Sequence, residues 1–142
     1  MLEPLALEML EERLRVDVSD VPFRLHPKIP YFGASPDGVI KEHCCLIEVK
    51  AQNEAAHALT LLEQEIPAQY QYQMMCQFSC WRHKGYDNMI FVSIDDEWPN
   101  DGQKLAVAHF VPKEKQIVEL ECEVIEFLSE VSEIENELRK IK

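Results

Sequence analysis

Apolar positions along the chain change period several times, and each change marks an element. Residues 3–15 place Leu5, Ala6, Met9 and Leu10 among Glu8, Glu11, Glu12, Arg13 and Arg15, a helical pattern. Ser19-Asp20-Val21-Pro22 breaks it, and Pro22, Pro27 and Pro30 keep the following stretch extended. Residues 30–34 and 37–41 then read as two strand pieces joined at Ser35-Pro36-Asp37-Gly38. Residues 44–50 are β-prone and apolar until their end, where Glu48-Val49-Lys50 emerges. A helix is predicted over 54–65, and Pro67 opens a second that runs to Trp81. Two further strands, 87–95 and 104–111, flank a loop from Asp96 to Gln103 that carries Pro99 and Gly102. This order predicts an α/β fold: a single domain over residues 1–142, with one mixed central sheet flanked by helices.

The final predicted helix, 114–141, is the most regular part of the pattern. Ile117, Leu120, Val124, Phe127, Val131, Ile134, Leu138 and Ile141 alternate steps of three and four. Such a seam fits a long helix laid on its own sheet. Ile125 and Leu128 widen the apolar face beyond one stripe, which fits a second arrangement in which part of the seam meets another subunit.

Composition narrows the class. With 46% apolar and 28% charged residues the chain matches an ordinary globular domain rather than a disordered or fibrous one. No apolar run approaches the ~20 residues that span a bilayer, so no membrane partner is expected. Met1-Leu2-Glu3-Pro4 has no basic segment followed by an apolar stretch, so no secretion signal is read there. Five cysteines form no framework spacing, which fits reduced thiols in a cytoplasmic setting. Cys76 and Cys80 stand four apart on a predicted helix, as a metal pair or as small buried residues. The net charge of −12 opposes nonspecific nucleic-acid binding through phosphate neutralisation. Residues 113–142 carry nine acidic and five basic residues, so most of the excess lies in the body of the chain.

The chemistry concentrates at the turn and the strand after it. Asp37 leaves a glycine-terminated turn, and Glu48 follows eleven residues later near the end of the neighbouring strand. Hydrolysing a phosphodiester calls for a divalent cation that offsets phosphate charge and lowers the pKa of a water. Mg²⁺ takes oxygen ligands and keeps several waters, so Asp37, Glu48 and the Val49 carbonyl are a sufficient protein set. Lys50, two residues after Glu48, projects to the same face of the strand. There its ammonium orients the water and offsets developing charge. The alternative is a surface Glu–Lys pair of little consequence.

The turn Ser35-Pro36-Asp37-Gly38 and the strand Leu46-Ile47-Glu48-Val49-Lys50 resemble the core of the PD-(D/E)XK nucleases, a restriction-endonuclease-like fold with, here, a long C-terminal helix. More narrowly, they resemble the phage lambda exonuclease and YqaJ-type viral recombinase family. That family also has a helix with a Gln-x-Gln pattern, and here the helix reads Tyr70-Gln71-Tyr72-Gln73-Met74-Met75-Cys76-Gln77. One register places the two family glutamines at Gln73 and Met75, a departure, while the other keeps both at Gln71 and Gln73. Glu3-Pro4-Leu5-Ala6 matches the family's upstream Glu-x-x-Ala.

The resemblance implies a Mg²⁺- or Mn²⁺-dependent DNA exonuclease of the phage recombination type, acting on duplex ends. Asp37 and Glu48 would then be metal ligands, Lys50 would assist the water, and Gln73 would position Lys50 or the phosphate. Glu3 would serve as an outer or second-metal carboxylate. The family also implies a trimeric ring, a single-strand annealing protein as partner, and a phage or prophage protein in the bacterial cytoplasm. Its members begin with further helices that grip the 5′ end. Met1 stands two residues before Glu3, so the expectation is a chain lacking that segment. Ser35, Arg82 and Lys84 are candidate DNA contacts, Arg82 and Lys84 lying in the densest basic stretch, Trp81-Arg82-His83-Lys84, which also fits a solvated helix end. Two other readings stay open: a non-catalytic interaction module or relic on the nuclease fold, and an endonuclease. The five histidines lack zinc spacing, and no glycine-rich nucleotide loop is present.

Overall fold

The computed structural model describes residues 2–142. Helix α1 spans Glu3–Leu14, with Pro4 in its first turn, and stops at Arg15, whose left-handed backbone (φ 55°) closes the last turn. Two short strands follow, β1 (Arg24–Leu25) and β2 (Gly33–Ala34), and then β3 (Gly38–Ile40) and β4 (Cys45–Lys50). Helix α2 spans Glu54–Glu63, its start capped by the Asn53 side chain, which accepts the Ala56 N–H. Helix α3 spans Ala68–Trp81, directly after Pro67. Strands β5 (Asn88–Ile94) and β6 (Leu105–Phe110) lead into α4, Glu114–Arg139. There the Gln116 side chain accepts the Lys113 N–H at 2.9 Å.

The central sheet has the order β3-β4-β5-β6. Its middle pair, β4 and β5, is parallel, and both outer pairs are antiparallel. Parallel neighbours need a crossover, and α2 and α3 supply it. One face of the sheet (Ile40, Cys45, Ile47, Val49, Ile90, Val92, Ile94) packs on Ala6 and Leu10 of α1. The other face (Val39, Leu46, Met89, Phe91, Ala108) packs on Met74, Phe78 and Trp81 of α3 and Ile117 of α4. Three layers result, with the strand ends left free to present polar side chains.

Two expectations need correction. The strand expected over 30–34 is confined to Gly33–Ala34, and it does not join the central sheet. It pairs antiparallel with β1, through Arg24↔Ala34 and Leu25↔Gly33. Pro27 and Pro30 lack the N–H groups a ladder needs, and the turn is closed by a side chain instead: His26 Nδ1 accepts from the Lys28 and Ile29 N–H groups at 3.1 and 3.0 Å. The long helix is fully buried against its own fold only at its start, and the contact thins along it. Ile117 and Leu120 are buried and Val124, Leu128 and Val131 are half-buried, but Phe127, Ile134 and Leu138 are exposed, as is Ile141 beyond the helix end.

All five cysteines are free. Burial pushes the Cys45 and Cys80 thiols up to about 12 and Cys76 up to about 11, which keeps them protonated and inert. No helix among the described residues is long and apolar enough to cross a membrane.

Candidate active site

Register brings the two carboxylates together. In the β3–β4 pair Gly38 lies across from Ile47, and the Asp37 N–H donates to the Ile47 carbonyl at 2.9 Å. Continuing that antiparallel register by one residue sets Asp37 opposite Glu48. Alternation along β4 puts Leu46, Glu48 and Lys50 on the face covered by α3, and Ile47 and Val49 on the face covered by α1. The two carboxyls lie near enough that the charge of Asp37 acts on Glu48.

Each carboxylate is held by a fixed donor. Asp37 Oδ2 accepts the Val49 N–H at 2.7 Å, so the backbone of one strand orients the acid of the next. Glu48 is only 2% exposed. Its Oε1 accepts from Lys50 Nζ at 2.9 Å and from Gln73 Nε2 at 3.1 Å, and its Oε2 accepts from Gln77 Nε2 at 2.6 Å. Lys50 also lies 5.3 Å from the centre of the Tyr70 ring, within cation–π range.

The electrostatics are those of crowded negative charge. Burial raises the pKa of Asp37 above the usual carboxylate range, opposed by the Val49 N–H and reinforced by the charge of Glu3. Burial raises that of Glu48 too, opposed by the Gln77 hydrogen bond and reinforced by Asp37. For Lys50, burial pulls the pKa down, but the hydrogen bond and charge of Glu48 and the charge of Asp37 outweigh it, and the net direction is up. One ammonium thus faces two acids that are both disfavoured as anions. A divalent cation fits this arrangement, since it would relieve the repulsion, and an all-oxygen donor set suits a hard one. Among the described residues no cluster of three or more His, Cys, Asp or Glu side chains is built to hold a metal, so a cation here would keep water or substrate oxygens in its shell.

The remaining residues singled out from the sequence take different places. Glu3, exposed in the first turn of α1, lies near enough for its charge to act on Asp37. Ser35 is exposed on the turn. Gln73, rather than Gln71, reaches the site: the Gln71 side chain donates to the Ile66 carbonyl at 3.0 Å, near the start of α3. Arg82 is turned to α4, where it pairs with Glu114 and, at 3.3 Å, with Glu121. Lys84 is exposed in the single turn after α3. At 1.5 Å per residue these two cations sit about 14–17 Å along the helix from Gln73, away from the carboxylates.

Gln77 is the site residue that sequence reasoning passes over. The signal was its position four residues after Gln73, which puts both amides on one helix face. The Gln-x-Gln pattern instead drew attention to Met75, which makes no polar contact with Glu48.

Comparison with known proteins bears on the family and the fold. A family profile described as the YqaJ-like viral recombinase domain matches residues 1–87. Two crystal structures of LHK-Exo, an alkaline exonuclease from Laribacter hongkongensis, superpose with a TM-score of 0.87 at 35% identity, covering 98% of this chain. One is a complex with dAMP, of which this chain covers 69%; the coverage of the other is 70%. A phage-related exonuclease from Haemophilus somnus 129PT, 14% identical with a TM-score of 0.63, covers 84% of this chain and 62% of its own and shares the fold. No curated protein matches the chain. By profile, by identity over nearly its full length and by fold, the chain belongs to the YqaJ-like viral recombinase family.

Proposed function

We propose that the chain is a Mg²⁺- or Mn²⁺-dependent deoxyribonuclease that resects duplex DNA ends. The observation that carries this reading is the pairing of Asp37 with Glu48 across two strands, with Lys50 on the same face. The alkaline exonuclease at 35% identity adds to it. Asp37, Glu48 and the Val49 carbonyl would hold the cation, with Glu3 near enough to contribute at its outer side. When bound, the cation would supply Lewis acidity to the phosphate and a water of lowered pKa.

The chain's own residues do the rest. Val49 N–H and the two glutamine amides hold the acids in place before substrate arrives, so little reorganisation is needed. Lys50 balances charge in the resting site through its contact with Glu48. On binding of a phosphate it turns its ammonium toward the attacking water and the scissile oxygens, where charge develops. The Tyr70 ring, 5.3 Å away, adds a cation–π contact to the resting ammonium. Ser35, exposed on the Asp37 turn, would donate to a DNA phosphate.

The test is incubation of linear and circular duplex DNA with Mg²⁺ or Mn²⁺, beside Lys50→Ala. Loss of linear DNA alone, reduced at least roughly 100-fold by Lys50→Ala, is the expected result. Cleavage of circles would select the endonuclease reading. No cleavage with either metal would select the interaction module, which the net charge of −12 favours.

A further inference from the structure

A second polar cluster lies beyond the end of β4, and the chemistry proposed above does not use it. Its members are Gln52, His57 and Thr60 of α2, and Ser93 of β5; His57, Thr60 and Ser93 are at most 1% exposed. Strand alternation puts Ser93 with Met89 and Phe91, on the face of the sheet that bears Glu48 and Lys50. The direction of each hydrogen bond is fixed. The Gln103 carbonyl can only accept, so His57 Nε2 donates to it at 2.8 Å, and Nδ1 accepts from the Ser93 hydroxyl at 2.7 Å. Ser93 Oγ in turn accepts from Gln52 Nε2 at 2.9 Å, and the other hydrogen of that amide goes to Thr60 Oγ1 at 2.8 Å. One atom is left over: Gln52 Oε1 is buried and accepts no hydrogen bond among the described residues. Packing alone does not select such a chain, since apolar side chains would leave no orphan.

What the chain grips is the end of β4. Ser93 is the cross-strand partner of Lys50, the last residue of β4, and Gln52 lies in the three-residue link from β4 to α2. Ala51 and Asn53 of that link are exposed, so the Gln52 side chain is its tie to the sheet. Glu48 is held by three donors and Asp37 by a backbone N–H. Lys50 is partly exposed and, among the described residues, has Glu48 as its polar partner and the Tyr70 ring beside it. In the reaction proposed above its ammonium leaves Glu48 for the attacking water. Where it arrives depends on where the strand end holds its Cα.

We infer that His57 is a positioning residue for Lys50: acting through Ser93 and Gln52, it clamps the end of β4 to β5 and so sets the reach of the ammonium. The inference rests on the role given to Lys50 above. His57 makes no polar contact with Lys50, Asp37 or Glu48 among the described residues. None of the donors to the two acids belongs to this chain of hydrogen bonds, so loosening the clamp costs turnover and leaves metal affinity alone. Misplacing a reacting group by about 1 Å costs up to ~100-fold in rate.

The test compares wild type with His57→Phe and His57→Gln in the full chain. Phenylalanine keeps a ring against Trp98, which lies 5.1 Å from His57, but makes neither hydrogen bond. The glutamine amide can both donate to Gln103 and accept from Ser93. The first readout needs no catalysis: the proton shift of the Lys50 ε-methylene in the metal-free chain, identified by its loss in Lys50→Ala. The Tyr70 ring, 5.3 Å from Lys50 Nζ, makes that shift sensitive to position. His57→Phe is expected to move the resonance toward that of free lysine, and His57→Gln to restore it. The second readout is kinetic, with linear duplex DNA at saturating Mn²⁺. There His57→Phe is expected to lose roughly 10–100-fold in kcat with Mn²⁺ affinity unchanged, and His57→Gln to recover most of the rate. A Lys50 resonance unmoved in His57→Phe overturns the inference whether or not the chain is a nuclease. Wild-type kcat in that variant overturns it too, as does a loss of Mn²⁺ affinity equal to the loss of kcat. If wild type cleaves nothing, the nuclease reading fails and the resonance alone decides the positioning. Should His57→Phe fail to fold, Ser93→Ala, which cuts the same chain with a smaller change, takes its place in both readouts.

Discussion

Glu48 and Phe127 are both out of place by simple burial rules, in opposite senses. One is a carboxylate 2% exposed at the end of a core strand; the other is an aromatic 61% exposed on the long helix. Around Glu48 every neighbour is committed: an ammonium, two amides and a second acid converge on it. Around Phe127 the fold supplies little beyond Tyr31, Phe32, Tyr72 and its own helix. A buried charge persists only where partners are built for it. An exposed apolar side chain costs the monomer little and needs no such support. Burial thus marks the region where structure is over-determined, and that is where the proposed chemistry lies.

The comparison can be broken at either end. The largest effect is expected from Asp37→Asn, which removes one of the paired charges. DNA cleavage should fall at least roughly 100-fold while circular dichroism stays the same. Retained cleavage would show that the cluster is structural.

The next effect contrasts two positions on the same helix seam. Ile117 is fully buried against the sheet, so Ile117→Ala should cost about 2–5 kcal/mol in urea unfolding. Phe127→Ser, ten residues along, should change stability by no more than about 0.5 kcal/mol. Equal losses would mean that the second half of α4 is packed after all.

A finer effect comes from pH. Asp37 and Glu48 both have pKa values raised in the fold, chiefly by burial. The folded state then holds more protons than the unfolded one just above the ordinary carboxylate range. Metal-free stability should accordingly fall as pH rises through that range and up to the raised values. Glu48→Gln should flatten this dependence and be the more stable protein at neutral pH relative to wild type without metal. A stability that instead rises with pH over this window would show that the acids are well satisfied as anions. The smallest effect is expected at Arg82, whose pairs with Glu114 and Glu121 lie on a partly exposed surface: Arg82→Ala should cost ~0.2–1 kcal/mol and leave cleavage unchanged.

Much of this was legible from the residues. Periodicity located the four long helices and the core strands, because burial on one or both faces leaves a repeat in the sequence. The Asp37 turn and Glu48-Val49-Lys50 gave the paired acids, since strand alternation fixes the face and the turn fixes the neighbour. The small β1–β2 sheet was not legible, because a histidine side chain closes its turn and two prolines hide its register. Gln77 escaped for a different reason. Its spacing from Gln73 puts the two amides on one helix face, but that this face lies over β4 is a tertiary fact that the spacing alone does not give. Nor did the pattern along α4 show where packing stops, since exposed and buried positions there carry the same residue types.

The account turns on two carboxylates holding one cation. Calorimetric titration of Mn²⁺ into the DNA-free wild-type chain, Asp37→Asn and Glu48→Gln tests this directly. One binding event in wild type, lost in both variants, is the predicted result. No binding in wild type, or binding that survives either substitution undiminished, would contradict it.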